Sequence, residues 1–322
     1  MEKKWIGIEK KPNGSTIAYC KKIHFKSYMK QTWILYLFLL PAFLDVFIFR
    51  YVPIYGAQIA FRNYKVKLGF WGSDWVGLKY FIQFFESPNF LQILRNTLLI
   101  SFYNLLFGFP VPILLAFMIN EIRSNNLKKI TQMITYMPHF ISMVAVVGLI
   151  NLMLNRQSGI VNLLITALGG NAINFMGMSS AYRTIYVVSD IWQHAGWGTI
   201  IYLATLATVD VEALEAARID GANRLQKILY IDLPTILPTI IVLLILRAGS
   251  MLNVGFEKVF LLQNDLNREV SEVISTYTYR MGILNGQYSY TTAIGLFNNV
   301  VNASLLIIIN QLARKTSETS LW

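Results

Sequence analysis

Six apolar runs long enough to cross a bilayer set the fold class of this chain. A membrane-spanning helix needs about 20 mostly apolar residues, and such runs lie at 33–52, 96–119, 130–154, 182–207, 234–254 and 291–313. Pro138 and His139 interrupt the third, and Asp190 and His194 the fourth. Only 14% of the residues are charged, against roughly a quarter in soluble proteins. The expectation is an all-α, polytopic membrane protein with six transmembrane helices.

Basic residues orient that bundle, because the cytoplasmic ends of spans carry an excess of Lys and Arg. The first 32 residues hold Lys3, Lys4, Lys10, Lys11, Lys21, Lys22, Lys26 and Lys30. Residues 1–32 are therefore expected to form a basic cytoplasmic segment without structure of its own, and 33–322 the transmembrane domain. Six spans return Arg314 and Lys315 to the same face, and Arg123, Lys128 and Lys129 mark the turn after the second span as cytoplasmic. Segments 53–95, 155–181 and 255–290 then become outer loops, the first rich in Tyr, Phe and Trp. The net charge of +11 is a topology signal, and no aromatic-basic module accompanies it, so nucleic acid is not an expected partner. The N-terminal basic stretch is too long for a signal peptide, and no small-residue cleavage site follows the first apolar run. The single Cys20 falls on the cytoplasmic side, where no disulfide is expected. His24 beside it does not make it a catalytic thiol.

Residues 215–234, EAARIDGANRLQKILYIDLP, form a charged, helix-prone island between two apolar runs. Ala216 and Ala217 give a helix a flat, approachable surface, with Glu215 beside it. Gly221 offers the cheap backbone reversal, so a short helix, a turn and a second short helix are expected. Ala222, Leu225, Ile228 and Leu229 recur at helical spacing after the turn. Pro234 suits the first turn of the next helix. A two-helix knob of this kind is a docking surface for a soluble partner.

Glu215, Ala216, Ala217, Gly221, Ile231, Leu233 and Pro234 together resemble the coupling motif of ABC importer permeases, and Asp220 lies inside it. The resemblance continues along the chain, to one branch of the maltose-type permeases, the LplB-type subunits associated with complex oligosaccharides and polysaccharide fragments. It is carried by LLPAFLDVFIFRYVPIYGAQIAF (39–61), WGSDWVGLKYF (71–81), RNTLLIS (95–101) and FGFPVPILLAFMINEIR (107–123). Further on it is carried by TYMPHFIS (135–142), LNVGFEKVFLL (252–262) and YSYTTAIGLFNNVVN (288–302). The resemblance implies a type I ABC importer permease fold with the coupling segment at 211–234. It implies a plasma-membrane subunit from a bacterium, with both termini cytoplasmic, that moves oligosaccharide by alternating access. The implied partners are a second permease subunit, a cytoplasmic ABC ATPase dimer, an extracellular solute-binding lipoprotein and membrane lipids.

The chain itself offers no chemistry of its own. It contains no GxxxxGK[ST] phosphate loop, so ATP and Mg are expected on the partner ATPase, with no cofactor here. His24, His139 and His194 lack metal-ligand spacing, and no nucleophile elbow is present. The expectation is a transport subunit and not an enzyme. The alternatives are an ion-coupled secondary transporter, which calls for an internal repeat that is not visible, and a membrane-bound glycan enzyme. Co-elution with an ATPase separates them.

Polar groups inside spans are costly and are expected to face a cavity or one another. Sugar contacts in the maltose permease come from the helices before and after the coupling segment. Aligned on Glu215 and Pro234, that zone implies Asp190, Trp192, Gln193, His194 and Trp197, then Arg247, Met251 and Val254. Only Trp192 matches the maltose residue type, which argues against maltose as cargo. Trp192 and Trp197 suit sugar-ring faces, and Gln193 and His194 suit hydroxyls. Asn298 and Asn302, four apart, share a helix face that either lines the path or packs. Asp190 and Arg247 sit at matching depth, so either they pair or Arg247 meets an anionic sugar.

Overall fold

A computed structural model describes residues 4–10, 16–22, 25–316 and 320–321, without side chains before Thr32 or at 316. Lys3, Lys11 and His24 lie outside the described residues, as does the side chain of Cys20. The chain forms two units, Met1–Gln58 and Ile59–Trp322, so the division falls just past the first apolar run at 33–52.

The first unit opens on an antiparallel hairpin, β1 (Lys4–Lys10) with β2 (Thr16–Lys22), in the register Ile6 to Cys20 and Ile8 to Ala18. The basic segment is thus structured, contrary to expectation. Its alternating apolar positions, Ile6 and Ile8 on one strand, carry a strand period that the lysine count hides. Helix α1 (Phe25–Val46) follows and feeds a continuous helical run, Thr32–Phe61, that is long and apolar enough to span. Phe43, Phe47 and Tyr51 stack in sequence along it.

The second unit is built mainly of helices, with an isolated β-bridge between Arg62 and Trp75. Its elements are α2 (Lys79–Phe85), α3 (Phe90–Tyr103), α4 (Pro110–Asn120), α5 (Asn125–Tyr136), α6 (Met143–Met153) and α7 (Ile160–Ala167). They continue as α8 (Ser179–Leu206), α9 (Val211–Ile219), α10 (Arg224–Lys227) and α11 (Leu233–Gly249). The chain closes with α12 (Phe256–Leu262), α13 (Arg268–Ser271), α14 (Ile274–Tyr279) and α15 (Tyr288–Thr316). Helix α8 is the central post, with α4 and α5 against it, while α11 lies along α15.

Three π turns, Phe47–Tyr51, Asn104–Gly108 and Ile228–Asp232, each end two residues before a proline, at Pro53, Pro110 and Pro234. A proline ring collides with the carbonyl four residues back and leaves it without a donor. Widening the preceding turn relieves that conflict and lets the helix run on.

Six spans are not confirmed by length and composition alone. Among the described residues, four helices are long and apolar enough to cross: Thr32–Phe61, Phe90–Asn120, Arg224–Gly249 and Tyr288–Lys315. The third expected run is two helices, Asn125–Phe140 and Met143–Met153, bent by 99°, which make a fifth span if taken together. Pro138 ends the first, and the Ser142 hydroxyl starts the second by accepting from the Ala145 N–H. The fourth run is the unbroken 28-residue α8, about 42 Å long at 1.5 Å per residue. Length suffices for a span, but Arg183, Asp190, Gln193 and His194 hold it outside the apolar set.

The expected outer loop 255–290 is largely helical and partly buried. It folds into α12, α13 and α14 and buries Val259, Leu262, Val273, Ile274 and Tyr277 in the core. One apolar cluster joins Ile100, Val147, Tyr186, Val187, Val259 and Leu262, so this segment closes the bundle over α8.

Candidate functional site

Two features stand out: a knob on the surface and a cavity beside α8. The knob is α9, a reversal and α10. Asp210 caps α9 by accepting from the Glu212 N–H at 2.9 Å. At the other end the Gly221 N–H reaches the Arg218 carbonyl at 3.2 Å and the Ala222 N–H reaches the Ala217 carbonyl at 2.9 Å. This double closure is a Schellman motif with Gly221 at its left-handed position, φ +78°. Asn223 and Gln226 then start α10 with a reciprocal capping box.

The coupling residues divide by direction. Glu215, Ala216 and Asp220 are exposed and Ala217 is half-buried; α9 contains no buried residue. Val211, Ile219, Leu225 and Tyr230 are exposed as well. Ile231 and Leu233 are half-buried, and Leu233 packs on the cluster of Ala116, Phe117, Tyr202, Leu206 and Ile236. Pro234 sits in the first turn of α11. One half of the segment therefore faces out and the other is rooted in the bundle. Lys227 pairs with Glu121, just past α4, and stands 3.7 Å from Asp232.

The cavity measures about 1090 Å³. Its wall is built by the end of α3 and the π turn after it, by α4, α8 and α11, and by the irregular stretch leading into α12. Asp190, His194, Trp197, Arg247, Met251 and Val254 all line it. His139 stacks flat on Trp197 at 4.5 Å and 5°, covering one of its faces.

Trp192, Gln193, Asn298 and Asn302 do not line the cavity. Trp192 is exposed on another face of α8. Gln193 is buried and donates to the Ile141 carbonyl at 3.1 Å, bracing the 99° break. Asn298 and Asn302 both donate to Asn253 Oδ1 at 3.0 Å, and Asn302 accepts from the Leu252 N–H. They tether the irregular stretch after α11, which lines the cavity through Asn253.

Asp190 does not pair with Arg247. Its carboxylate meets Lys258 Nζ at 3.2 Å, accepts from Asn104 Nδ2 at 3.0 Å and lies 3.5 Å from His194 Nδ1. Lys258 is 2% exposed and sits 4.7 Å over the Tyr186 ring. Burial pulls the Lys258 ammonium below the usual lysine value, and the Asp190 carboxylate works against that. Matching depth does not pair Asp190 with Arg247, because Lys258 on α12 reaches Asp190 first. A lysine within the apolar spacing of Val254, Val259 and Leu262 is the signal that finds it. Arg247 and Glu257 line the cavity, and among the described residues neither has an ion-pair partner within 4.0 Å. No group of three or more potential metal-ligating His, Cys, Asp or Glu occurs among the described residues.

Comparison with known proteins places these features in context. The family described as "Binding-protein-dependent transport system inner membrane component" matches residues 108–318. Protein LplB of Bacillus subtilis (strain 168) is 44% identical over 315 residues, covering 98% of this chain and 99% of LplB. The polygalacturonan/rhamnogalacturonan transport system permease protein YteP of the same organism is 46% identical over 288 residues, 89% of this chain and 90% of its own. Among solved structures, a chain of a bacterial alginate ABC transporter in complex with an alginate pentasaccharide-bound periplasmic protein superposes with a TM-score of 0.84. That chain is 40% identical, with 92% of this chain and 99% of that one covered.

Proposed function

We propose, from the premise that this chain belongs to the family of binding-protein-dependent transport system inner membrane components, that it is an oligosaccharide permease subunit of an ATP-driven importer. The family is one of non-enzymatic transport subunits, and the apolar helices make the chain a multi-pass membrane protein. The observation that carries the rest is the knob. A helix without a buried residue, beside exposed Val211, Ile219, Leu225 and Tyr230, leaves apolar surface in water unless a partner covers it. A cytoplasmic ABC ATPase is that partner in this reading, and its ATP-driven motion enters the bundle through Ile231, Leu233 and Pro234. A second permease completes the path, an extracellular binding protein delivers the sugar, and both termini lie in the cytoplasm. Labelling of a cysteine at position 224 by an impermeant reagent in intact cells contradicts that orientation.

The test of the knob is Gly221→Val. A β-branched side chain at φ +78° is expected to cost at least about 1–2 kcal/mol and to open the Schellman closure. No neighbour lies within 4 Å of a Cβ there, so the bundle itself is not crowded. The subunit is expected to insert normally while losing its ATPase or its uptake. Normal uptake with normal stimulation of hydrolysis removes the knob from the coupling role.

The cavity is the proposed substrate path. Sugar stacks on the free part of Trp197, His194 offers a ring nitrogen to hydroxyls, and Arg247 offers a guanidinium with no ion-pair partner within 4.0 Å among the described residues. The relatives support an acidic glycan: one is named for polygalacturonan and rhamnogalacturonan transport, and a matched transporter is described as importing the acidic polysaccharide alginate. Arg247→Gln is expected to abolish uptake while the complex stays assembled. Retained uptake of an acidic oligosaccharide by that variant rules out the contact.

A further inference from the structure

We propose that Lys227 is a switching contact, paired with Glu121 in this conformation and with Asp232 in the alternate one. This rests on reading the knob as the ATPase contact. Lys227 closes α10, and its Nζ donates to Glu121 Oε1, one residue beyond α4. Asp232 Oδ2 lies 3.7 Å from the same ammonium, beyond hydrogen-bonding distance. Asp232 is 1% exposed, and among the described residues neither of its carboxylate oxygens has a donor within hydrogen-bond distance, the Lys227 ammonium at 3.7 Å being a long ion-pair contact. A buried carboxylate held only by so long a contact is costly, and a state that brings the ammonium into hydrogen-bond distance relieves that cost. Among the described residues, Lys227 is the only cation within 4.0 Å of it.

The surroundings make the exchange consequential. One ammonium serves two carboxylates that belong to different helices, which is a two-position element and not a graded one. Glu121 follows α4, which reaches the cavity with Pro112; Asp232 leads into α11, which reaches it with Leu243, Leu246 and Arg247. Lys227 immediately precedes the π turn Ile228–Asp232 and Asp232 ends it, so the two groups are joined by one wide turn. When the ATPase draws on α9 and α10, Lys227 leaves Glu121 for Asp232. The knob is then released from α4 and locked to α11, so one contact exchange changes the relation of two cavity walls.

The test uses the full complex of this chain, its second permease, the ATPase and the binding protein in proteoliposomes. It reads uptake, hydrolysis with and without sugar-loaded binding protein, and co-elution of the ATPase. Asp232→Asn removes the second station and is expected to lower uptake about tenfold, one charge-assisted contact in one state, with the ATPase still co-eluting. Glu121→Gln removes the first station and is expected to act the opposite way, raising hydrolysis without binding protein about threefold or more. Lys227→Arg is expected to keep partial coupling, and Lys227→Met to lose uptake.

Equal effects of Asp232→Asn and Glu121→Gln on uptake and unstimulated hydrolysis make the cluster a static anchor and overturn the switch. Wild-type uptake by Asp232→Asn does the same. Should Asp232→Asn fail to assemble, unstimulated hydrolysis in Glu121→Gln at or below wild type is sufficient to overturn it. Loss of the ATPase from Lys227→Met puts Lys227 in the docking surface, which ends the switch and leaves the docking reading intact. Absence of co-elution from the unmodified complex removes both.

Discussion

Gly196→Ala is expected to leave little assembled transporter. A Cβ at Gly196 stands 1.9 Å from the Thr135 carbonyl oxygen and 2.4 Å from its carbon. Both are backbone atoms near the end of α5, so no side-chain rotation relieves the overlap; α5 and α8 have to separate. Separation strains the Gln193 bond to the Ile141 carbonyl and the 3.4 Å contact of Thr199 with the Tyr136 hydroxyl. The 99° break between α5 and α6 thereby loses its brace. Overpacking costs roughly 1–3 kcal/mol where side chains can shift, and a backbone collision belongs at or above the top of that range. Gly148→Ala in α6 is the control, because nothing lies within 4 Å of a Cβ there and alanine is the better helix former. Thermal melting of the purified complex checks both: a large drop for Gly196→Ala, and no drop for Gly148→Ala. Equal melting of the two variants overturns the assigned helix contact.

Breaking the Asp190–Lys258 pair is the second large effect, and it is expected to be lopsided. Asp190→Asn strands an ammonium that is 2% exposed and, among the described residues, has no other anion within 4.0 Å, only the Tyr186 ring. Lys258→Met leaves a carboxylate that still has the Asn104 amide and His194. Orphaning a buried charge costs about 3–5 kcal/mol, so Asp190→Asn is expected to cut complex yield sharply and Lys258→Met less so. The double variant removes the orphan and is expected to recover most of the yield. Yields that fall further in the double variant than in either single one refute a structural pair and assign both groups to substrate.

The parts of this protein that sequence exposes are those set by local rules. Four span-grade helices follow from unbroken apolar runs, and the knob follows from Ala216 and Ala217, the reversal at Gly221 and the proline at 234. Each of these is decided by residues close together in sequence. The bend near residue 141 is only half legible. Pro138 announces a break, but its angle depends on the Ser142 cap and on Gln193, more than 50 residues away along the chain. The partner of Asp190 is hidden for the same reason, since Lys258 comes from 68 residues further on. Lys258 lies in a stretch that is short of any long apolar run, and only the spacing of Val254, Val259 and Leu262 marks it as core. The cavity sorts the polar residues of α8 by helix face: Asp190, His194 and Trp197 turn toward it, while Trp192 and Gln193 turn away. Composition does not carry that distinction; the contacts of α4, α5 and α11 with α8 do.

The central claim is that this chain moves oligosaccharide with energy supplied by another protein through the knob. The direct measurement is uptake into proteoliposomes, comparing this chain alone with the chain joined by its second permease, ATPase and binding protein. No uptake by the chain alone is expected under any proton or sodium gradient. Uptake by the full complex is expected to require ATP and the binding protein, and to collapse with Gly221→Val. Accumulation of sugar by the chain alone, driven by an ion gradient without ATP, contradicts it.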